Sequence, residues 1–218
     1  MYTPSTFIVG IAGGSGSGKT TIARHLINGL PQETARLIQH DSYYKEQTDI
    51  SPHRRRQQNF DHPDALDTRM LITHLTHLKS GNAIDIPMYD FRTHQRKDKV
   101  QRIEPAPVII VEGILVFENH KLRDLFDLKL YVDTAADIRA IRRFTRDMTE
   151  RQRDFDSIRD QYYRHVRPMH TQFVEPSKRW ADLIIPESGE YIAGLEVITA
   201  RLLAETSTTL SSQDAPEL

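Results

Sequence analysis

The sequence contains no cysteine among its 218 residues, which removes several kinds of chemistry at once. Disulfide bonds, thiolate metal sites and cysteine nucleophiles are all excluded. The sequence also lacks a run of about 18 apolar residues, and its first residues, MYTPSTFIVG, lack the basic and apolar segments of a signal peptide. We therefore expect a cytoplasmic protein that does not bind or cross a membrane.

An excess of charge of either sign is also missing. The 29 basic and 30 acidic side chains give a formal net charge of −1, so no overall attraction toward nucleic acid is expected. The length suits one domain, which we place at residues 1–205. The remaining segment, residues 206–218 (TSTTLSSQDAPEL), has little to bury and is predicted to be disordered.

Short apolar runs alternate with segments of helical periodicity along the chain. This pattern is typical of an α/β fold in which helices cover both faces of a parallel sheet. Two segments at about residues 83–104 depart from it and are predicted to form an antiparallel hairpin beside the sheet. The predicted strands of the main sheet are TFIVGIAG, ARLIQHD, PVIIVEGILVF, LKLYVD and ADLIIPE.

Glycine is scarce as well, yet five of the ten glycines fall within residues 10–18. The segment GGSGSGKTT matches G-x-x-x-x-G-K-[ST], the pattern of a phosphate-binding loop (P-loop), and it lies between a predicted strand and a predicted helix. Glycines let backbone N–H groups point at phosphate oxygens, Lys19 adds a positive charge, and the Thr20 hydroxyl can bind Mg²⁺. A flexible loop that matches by chance is the alternative. The predicted nucleotide-binding residues are Gly13, Gly14, Ser15, Gly16, Ser17, Gly18, Lys19, Thr20 and Thr21.

Two carboxylates follow predicted strands at the edge of the sheet where ligands bind in such folds. Asp41 follows the second strand and could orient or deprotonate an attacking hydroxyl, although a turn or helix-capping aspartate is an equal alternative. Glu112 ends the run PVIIV, where a P-loop enzyme keeps the acid that positions its metal. A solvated strand end is the alternative for Glu112.

A predicted helix that begins near Ala135 carries a stripe of arginines. At about 100° per residue, the arginines share one sector and the apolar residues lie opposite. Such a stripe is often a solvated face, but a planar guanidinium is also suited to a phosphoryl group, which would make this helix part of a lid. The arginines are Arg139, Arg142, Arg143 and Arg146, and the apolar residues are Ile138, Ile141, Phe144 and Met148.

Several segments together resemble the uridine kinase (uridine-cytidine kinase) family, in the same order and at similar spacing. The resemblance extends from Gly13 to about Pro186 and implies a P-loop kinase fold with a helical lid at about residues 135–172. It also implies Mg²⁺-dependent transfer of the γ-phosphoryl group of ATP or GTP to the 5′-hydroxyl of uridine or cytidine, and a tetramer. The segments are GGSGSGKTT, DSYYK, NFDHPDALD, IPMYDFRTHQR, VIIVEGILVF, LYVD, RRFTRD, QYYRHVRPMH and EPSKRWADLIIP.

The resemblance implies a role for individual residues. Asp41 corresponds to the catalytic base, and Lys19, Arg146 and Arg151 complete the implied catalytic set. Thr20 and Glu112 are the implied metal-binding residues. The implied nucleoside-binding residues are Asp61, Tyr89, His94, Arg143, Arg153 and Gln161.

Other interpretations stay open at this stage. Tyr89 and Phe91 could be ordinary sheet aromatics, and His94 a surface residue. A related P-loop kinase, similar to phosphoribulokinase or pantothenate kinase, would share the phosphate-binding residues but not NFDHPD and YDFRTH. A nucleotide-dependent switch is less compatible, because neither N-K-x-D nor D-x-x-G occurs. The chain departs from the family at Gln152, where glycine is common, so the turn of the lid is expected to be stiffer.

Overall fold

The computed structural model describes residues 6–187 and 192–211 and has the predicted α/β architecture. The strands are β1 (Phe7–Gly13), β2 (Ala35–Gln39), β3 (Ile84–Asp90), β4 (Gln95–Ile103), β5 (Val108–Glu112), β6 (Leu128–Asp133) and β7 (Leu183–Pro186). Five parallel strands form the main sheet in the order β2-β5-β1-β6-β7, and β3 and β4 form the separate antiparallel hairpin.

Helices cover both faces of the main sheet. The helices are α1 (Lys19–Asn28), α2 (Pro52–Arg56), α3 (Thr68–Lys79), α4 (His120–Arg123), α5 (Ala136–Thr149), α6 (Phe155–Gln161), α7 (Arg167–Met169), α8 (Glu175–Ser177) and α9 (Ile192–Ser211). Two π-helical turns, Tyr162–Val166 and His170–Val174, connect α6, α7 and α8 into one irregular helical segment. Within the described residues, none of these helices is long and apolar enough to cross a membrane.

The central strands are apolar at nearly every position because both of their faces are covered. Along β1, Ile8 packs into one core cluster and Val9 into the cluster on the opposite face. Neighbouring β5 repeats the alternation, with Ile109 in the first cluster and Ile110 in the second. These buried strands hold the loops at their carboxyl ends in a fixed position.

The strand register brings the predicted polar residues to one edge. Glu112, the last residue of β5, lies opposite Ile11 of β1 on one side and Gln39 of β2 on the other. The P-loop follows β1, and Asp41 lies two residues beyond the end of β2. The parallel arrangement therefore places the P-loop, Asp41 and Glu112 at the same edge of the sheet.

Two boundaries differ from the predictions. The segment PVIIVEGILVF is a strand only as far as Glu112, because the chain turns at Gly113. Helix α9 continues through Ser211, and Thr206 is buried, so the helix extends into the segment that the sequence predicts to be disordered. The rest of the predicted tail lies outside the described residues. Leu195, Ile198 and Leu202 on α9 are buried in the second core cluster, and this packing stabilises the helix.

Candidate active site

The P-loop connects β1 to α1 and is held in conformations that favour glycine. Gly13, Gly16 and Gly18 have φ values of 144°, 81° and 98°, in or near the left-handed region. A Cβ at Gly16 would collide with the backbone carbonyl of Arg139, while a Cβ at Gly18 would meet nothing within 4 Å. Helix α5 therefore lies directly against the loop, and Arg139, which is 7% exposed, packs against Gly14 and Gly16.

The lysine, threonine and acid of the predicted metal and phosphate site are each held by hydrogen bonds. The Lys19 ammonium donates to the carbonyl oxygen of Gly14 at 3.0 Å. The Thr20 hydroxyl donates to Glu112 Oε1 at 2.7 Å, and the Gln39 amide donates to the same oxygen at 3.0 Å. Burial lowers the pKa of Lys19, although Glu112 and Asp41 oppose this shift.

A hydroxyl and a carboxylate are hard oxygen donors, which suit Mg²⁺ in a site completed by phosphate oxygens and water. Thr20 and Glu112 therefore fit the predicted ion. No cluster of three or more His, Cys, Asp or Glu side chains arranged as a metal site occurs in the part of the chain that the structure describes. A site built entirely from such side chains is absent from those residues.

Two cavities meet at this edge of the sheet. The first contains the P-loop, Gln39 and Glu112. The second lies between the P-loop, the β3-β4 hairpin and the helices after β6. The residues common to the walls of both cavities are Ser15, Asp41, Phe91, Ile114, Arg146 and Arg151.

Aromatic side chains line the second cavity. The rings of Phe60 and His94 stack with centroids 4.6 Å apart and planes at 14°. Tyr44 and Tyr89 contact each other with centroids 5.0 Å apart. The buried hydroxyl of Tyr89 has no hydrogen-bond partner within the described part of the chain. The cavity thus combines flat apolar surfaces with a polar atom that a ligand could satisfy.

Two of the four arginines of the stripe on α5, Arg139 and Arg143, are buried, whereas Arg142 is exposed. On the opposite side of the helix, Ile141 is 68% exposed. Arg143 donates to the Ser15 hydroxyl at 2.7 Å and to Gln161 Oε1 at 3.0 Å. Of the two interpretations of the stripe, a solvated face is therefore excluded for the two buried arginines.

Sequence reasoning missed the acidic partner of these arginines. Asp147 on α5 is fully buried and lies within 4 Å of Arg143, Arg146, Arg151 and Arg153. The signal was present in RRFTRDMTERQR, where only two acids, Asp147 and Glu150, occur among five arginines. Sequence reasoning also passed over Tyr44 and Phe60, whose aromatic type alone did not separate a cavity wall from a core.

The predicted nucleoside-binding residues come together in the second cavity. Its lining includes every one of them, and Asp61 is 6% exposed. The two arginines of the predicted catalytic set, Arg146 and Arg151, lie in the shared wall, and Arg151 lies 4.3 Å above the Phe91 ring. The residues brought together are Asp61, Tyr89, His94, Arg143, Arg153 and Gln161.

Asp41 occupies a strongly perturbed electrostatic environment. Burial raises the pKa of its carboxyl group, and the neighbouring carboxylate Glu112 raises it further. Arg151, Lys19 and Arg146 act in the opposite direction and favour the ionised form. A carboxylate with a raised pKa between two cavities is a suitable proton acceptor.

Comparisons with known proteins agree with this geometry. A family model described as the phosphoribulokinase / uridine kinase family matches residues 8–191. A uridine kinase from Streptococcus uberis is 50% identical over 195 residues, which cover 89% of this chain and 93% of that protein. A uridine kinase from Clostridium botulinum is 49% identical, with coverage of 89% and 95%.

A solved structure of D-glycerate 3-kinase from Cryptococcus neoformans supports the fold. It has a TM-score of 0.63 at 15% identity, and the match covers 86% of this chain and 88% of that chain. With the P-loop, the matching family model and the relatives at about half identity, the chain belongs to the phosphoribulokinase / uridine kinase family.

Proposed function

We propose that this protein transfers the γ-phosphoryl group of ATP or GTP to the 5′-hydroxyl of uridine, and also of cytidine, producing UMP or CMP for pyrimidine salvage. The observation that carries the proposal is the wall shared by two cavities, in which Asp41 lies between the P-loop and an aromatic pocket. The names of the relatives at about half identity supply the substrate class.

The aromatic cavity has the chemistry needed for a nucleoside. A pyrimidine offers a flat face to the aromatic side chains and a polar edge to His94 and to the unsatisfied Tyr89 hydroxyl. Asp61 can accept hydrogen bonds from the ribose hydroxyls, and the Gln161 amide lies in the same wall. The nucleoside would then lie with its 5′-hydroxyl toward Asp41.

The transfer follows from these positions. Asp41 accepts the proton of the 5′-hydroxyl while the 5′-oxygen bonds to the γ-phosphorus, and the bond to the β,γ-bridging oxygen breaks to release ADP or GDP. Lys19, Arg146 and Arg151 offset the negative charge on the phosphoryl oxygens. Thr20 and Glu112 would hold a Mg²⁺ ion, which supplies charge neutralisation to the triphosphate when bound.

A coupled assay of nucleoside-diphosphate release tests the proposal. ATP and GTP are each combined with uridine, cytidine, a purine nucleoside, ribulose 5-phosphate and pantothenate. We expect release that depends on uridine or cytidine and a product with a 5′-phosphate. Dependence on ribulose 5-phosphate or pantothenate would instead assign another small-molecule kinase, and slow release that ignores every acceptor would assign a nucleotide switch.

We also propose that the protein forms a homo-oligomer, as the family resemblance suggests for a tetramer. Ile141, Met148 and Phe155 are exposed on the outer side of α5 and α6, where a second copy could cover them. Sedimentation velocity measures the size of the assembly. A monomer at micromolar concentration would contradict this part of the proposal.

A further inference from the structure

We infer that Asp147 is a positioning residue for phosphoryl transfer, which gathers the four cavity arginines into one cluster without itself touching a substrate. The inference rests on the proposed function, because those arginines act on the donor and the acceptor of that reaction. Asp147 has no exposed surface and does not line either cavity. Its effect on a substrate must therefore pass through the arginines.

The contacts of Asp147 divide between its two carboxylate oxygens. Arg146 and Arg151 approach Oδ1 at 2.7 Å and 3.5 Å. Arg143 and Arg153 approach Oδ2 at 3.8 Å and 3.4 Å. The pair at Oδ1 lines both of the cavities described above, whereas the pair at Oδ2 lines only the aromatic one of the two.

The chain also folds around Asp147 on two sides. Arg143 and Arg146 belong to α5, while Arg151 and Arg153 belong to the loop that follows it. The backbone N–H of Arg153 donates to the carbonyl oxygen of Asp147 at 3.1 Å, which turns the loop back toward the helix. The side chain and the backbone of one residue thus fix the loop to the helix.

A buried negative charge is needed at the position of Asp147, because four positively charged arginines surround it. Four guanidinium groups around one point repel one another, and the low dielectric of the interior strengthens the repulsion. Burial by itself would raise the pKa of Asp147, but Arg143, Arg146 and Arg151 outweigh it and hold the pKa below its usual value. Asp147 therefore stays ionised and neutralises part of the cluster.

The positions of the arginines matter for catalysis because their guanidinium groups must contact the oxygens of one small phosphoryl group. Misplacement of a charged group by about 1 Å can reduce turnover by about 10²-fold. Gln161 links two members, since Arg143 and Arg153 donate to its Oε1 at 3.0 Å and 2.6 Å. Movement of either arginine would thus also displace the Gln161 amide from the cavity wall.

The test compares Asp147→Asn and Asp147→Glu with Asp156→Asn, which removes a solvent-exposed aspartate that pairs with Arg159 on α6. Wild-type turnover of uridine is established first, so that failure of the proposed function is recognised separately. We then expect Asp147→Asn to lower kcat by about 10²-fold and to raise the nucleoside KM, with the Kd for ADP changed by less than about threefold. Asp147→Glu keeps the charge but moves the carboxylate by one methylene group, so we expect a smaller loss of kcat than in Asp147→Asn, and Asp156→Asn should match wild type.

A purely structural role predicts a different result. The variants would then have a lower Tm but wild-type kcat and KM when assayed well below that temperature, and this result would overturn the inference. If Asp147→Asn does not fold, Asp147→Glu decides, because a lowered kcat with normal ADP binding supports the inference and wild-type kinetics contradicts it.

A second measurement needs no acceptor. Limited digestion with trypsin, with the cleavage sites identified by mass spectrometry, reports how firmly the loop arginines are held. We expect Asp147→Asn to be cut after Arg151 or Arg153 at least tenfold faster than wild type and Asp156→Asn. Equal rates at these two sites in all three proteins would contradict the proposed gathering of the arginines.

Discussion

The carboxylate of Asp41 lies where the two cavities meet, and a substitution that replaces one carboxylate oxygen by an amide nitrogen tests its proposed role. We expect Asp41→Asn to keep nucleotide binding but to lose about 10² to 10⁴-fold in kcat, because the amide cannot accept the proton. Steady-state kinetics with uridine and a Kd for ADP measure the two effects. Asp49→Asn, in an exposed loop, is the control, and a kcat near wild type for Asp41→Asn would remove Asp41 from this role.

His40, next to Asp41 in the chain, gives a prediction for pH. Burial lowers the pKa of its imidazole from 6.5 to about 4, so the folded protein keeps it neutral where the unfolded chain is protonated. Stability is then complete above pH 6.5 and falls as the pH decreases toward 4. Between pH 7.5 and 5 the loss attributable to His40 is about 2 kcal/mol in the free energy of unfolding.

Urea unfolding of wild type and His40→Gln at these two pH values measures this contribution. We expect the loss of stability on acidification to be about 2 kcal/mol smaller in the variant, because glutamine does not titrate. Parallel losses in the two proteins would show that His40 does not carry the effect. Wild type and the variant share all other titrating groups. The contributions of those groups therefore cancel when the two losses of unfolding free energy are subtracted.

At the scale of single residues, the sequence predicted many of the residues that line the cavities but missed Tyr44 and Phe60, and it did not predict how these residues are arranged. The P-loop residues follow from a motif with a physical reason, and Asp41 from its place after a strand. Asp61, Tyr89 and His94 depended on the family resemblance, since isolated polar and aromatic residues do not indicate a cavity. The role of Asp147 was not predicted, because its contacts with Arg151 and Arg153 depend on the path of a loop, and a loop has no periodic sequence pattern.

The P-loop as an element allows a matched pair of glycine substitutions. Gly16 and Gly18 both have positive φ, but only at Gly16 would a Cβ meet the backbone of Arg139. We expect Gly18→Ala to cost about 1 to 2 kcal/mol from backbone strain, and Gly16→Ala at least about 1 kcal/mol more from overpacking. Chemical unfolding without nucleotide measures both, and equal costs would show that the loop moves away from α5.

Helix α5 shows why a periodic pattern can be read correctly and still leave its orientation open. Sequence periodicity separates the arginine side from the apolar side but does not say which side faces inward. Here Ile141 faces solvent and the buried Arg139 and Arg143 face inward. Polar partners are available there, because Arg143 donates to the Ser15 hydroxyl of the P-loop and Arg139 donates to the carbonyl oxygen of Thr134 and to His170. Gln152, which follows α5, has φ of 55°, a region that glycine adopts more easily.

At the scale of the whole molecule, the sequence predicted the α/β class well because parallel strands buried on both faces leave a strong apolar signal. The order of the strands was not predicted, since pairing between β1 and β5 joins segments about a hundred residues apart in the chain. The cytoplasmic location and the tetramer stay predictions.

The shared wall of the two cavities also determines what happens when the nucleoside is absent. Water then fills the aromatic cavity and has access to Asp41 and to the terminal phosphate, so futile hydrolysis of ATP competes with productive transfer. We expect 5′-deoxyuridine, which fills the cavity but has no reactive hydroxyl, to reduce this background hydrolysis below that of the enzyme with ATP alone.

Release of inorganic phosphate, measured with and without 5′-deoxyuridine, checks this expectation, and undiminished release at a saturating concentration would contradict it. The acceptor is then more than a substrate. By occupying its cavity, the nucleoside keeps water away from the terminal phosphate of the donor. The ratio of phosphoryl transfer to hydrolysis therefore depends on how completely the nucleoside excludes water.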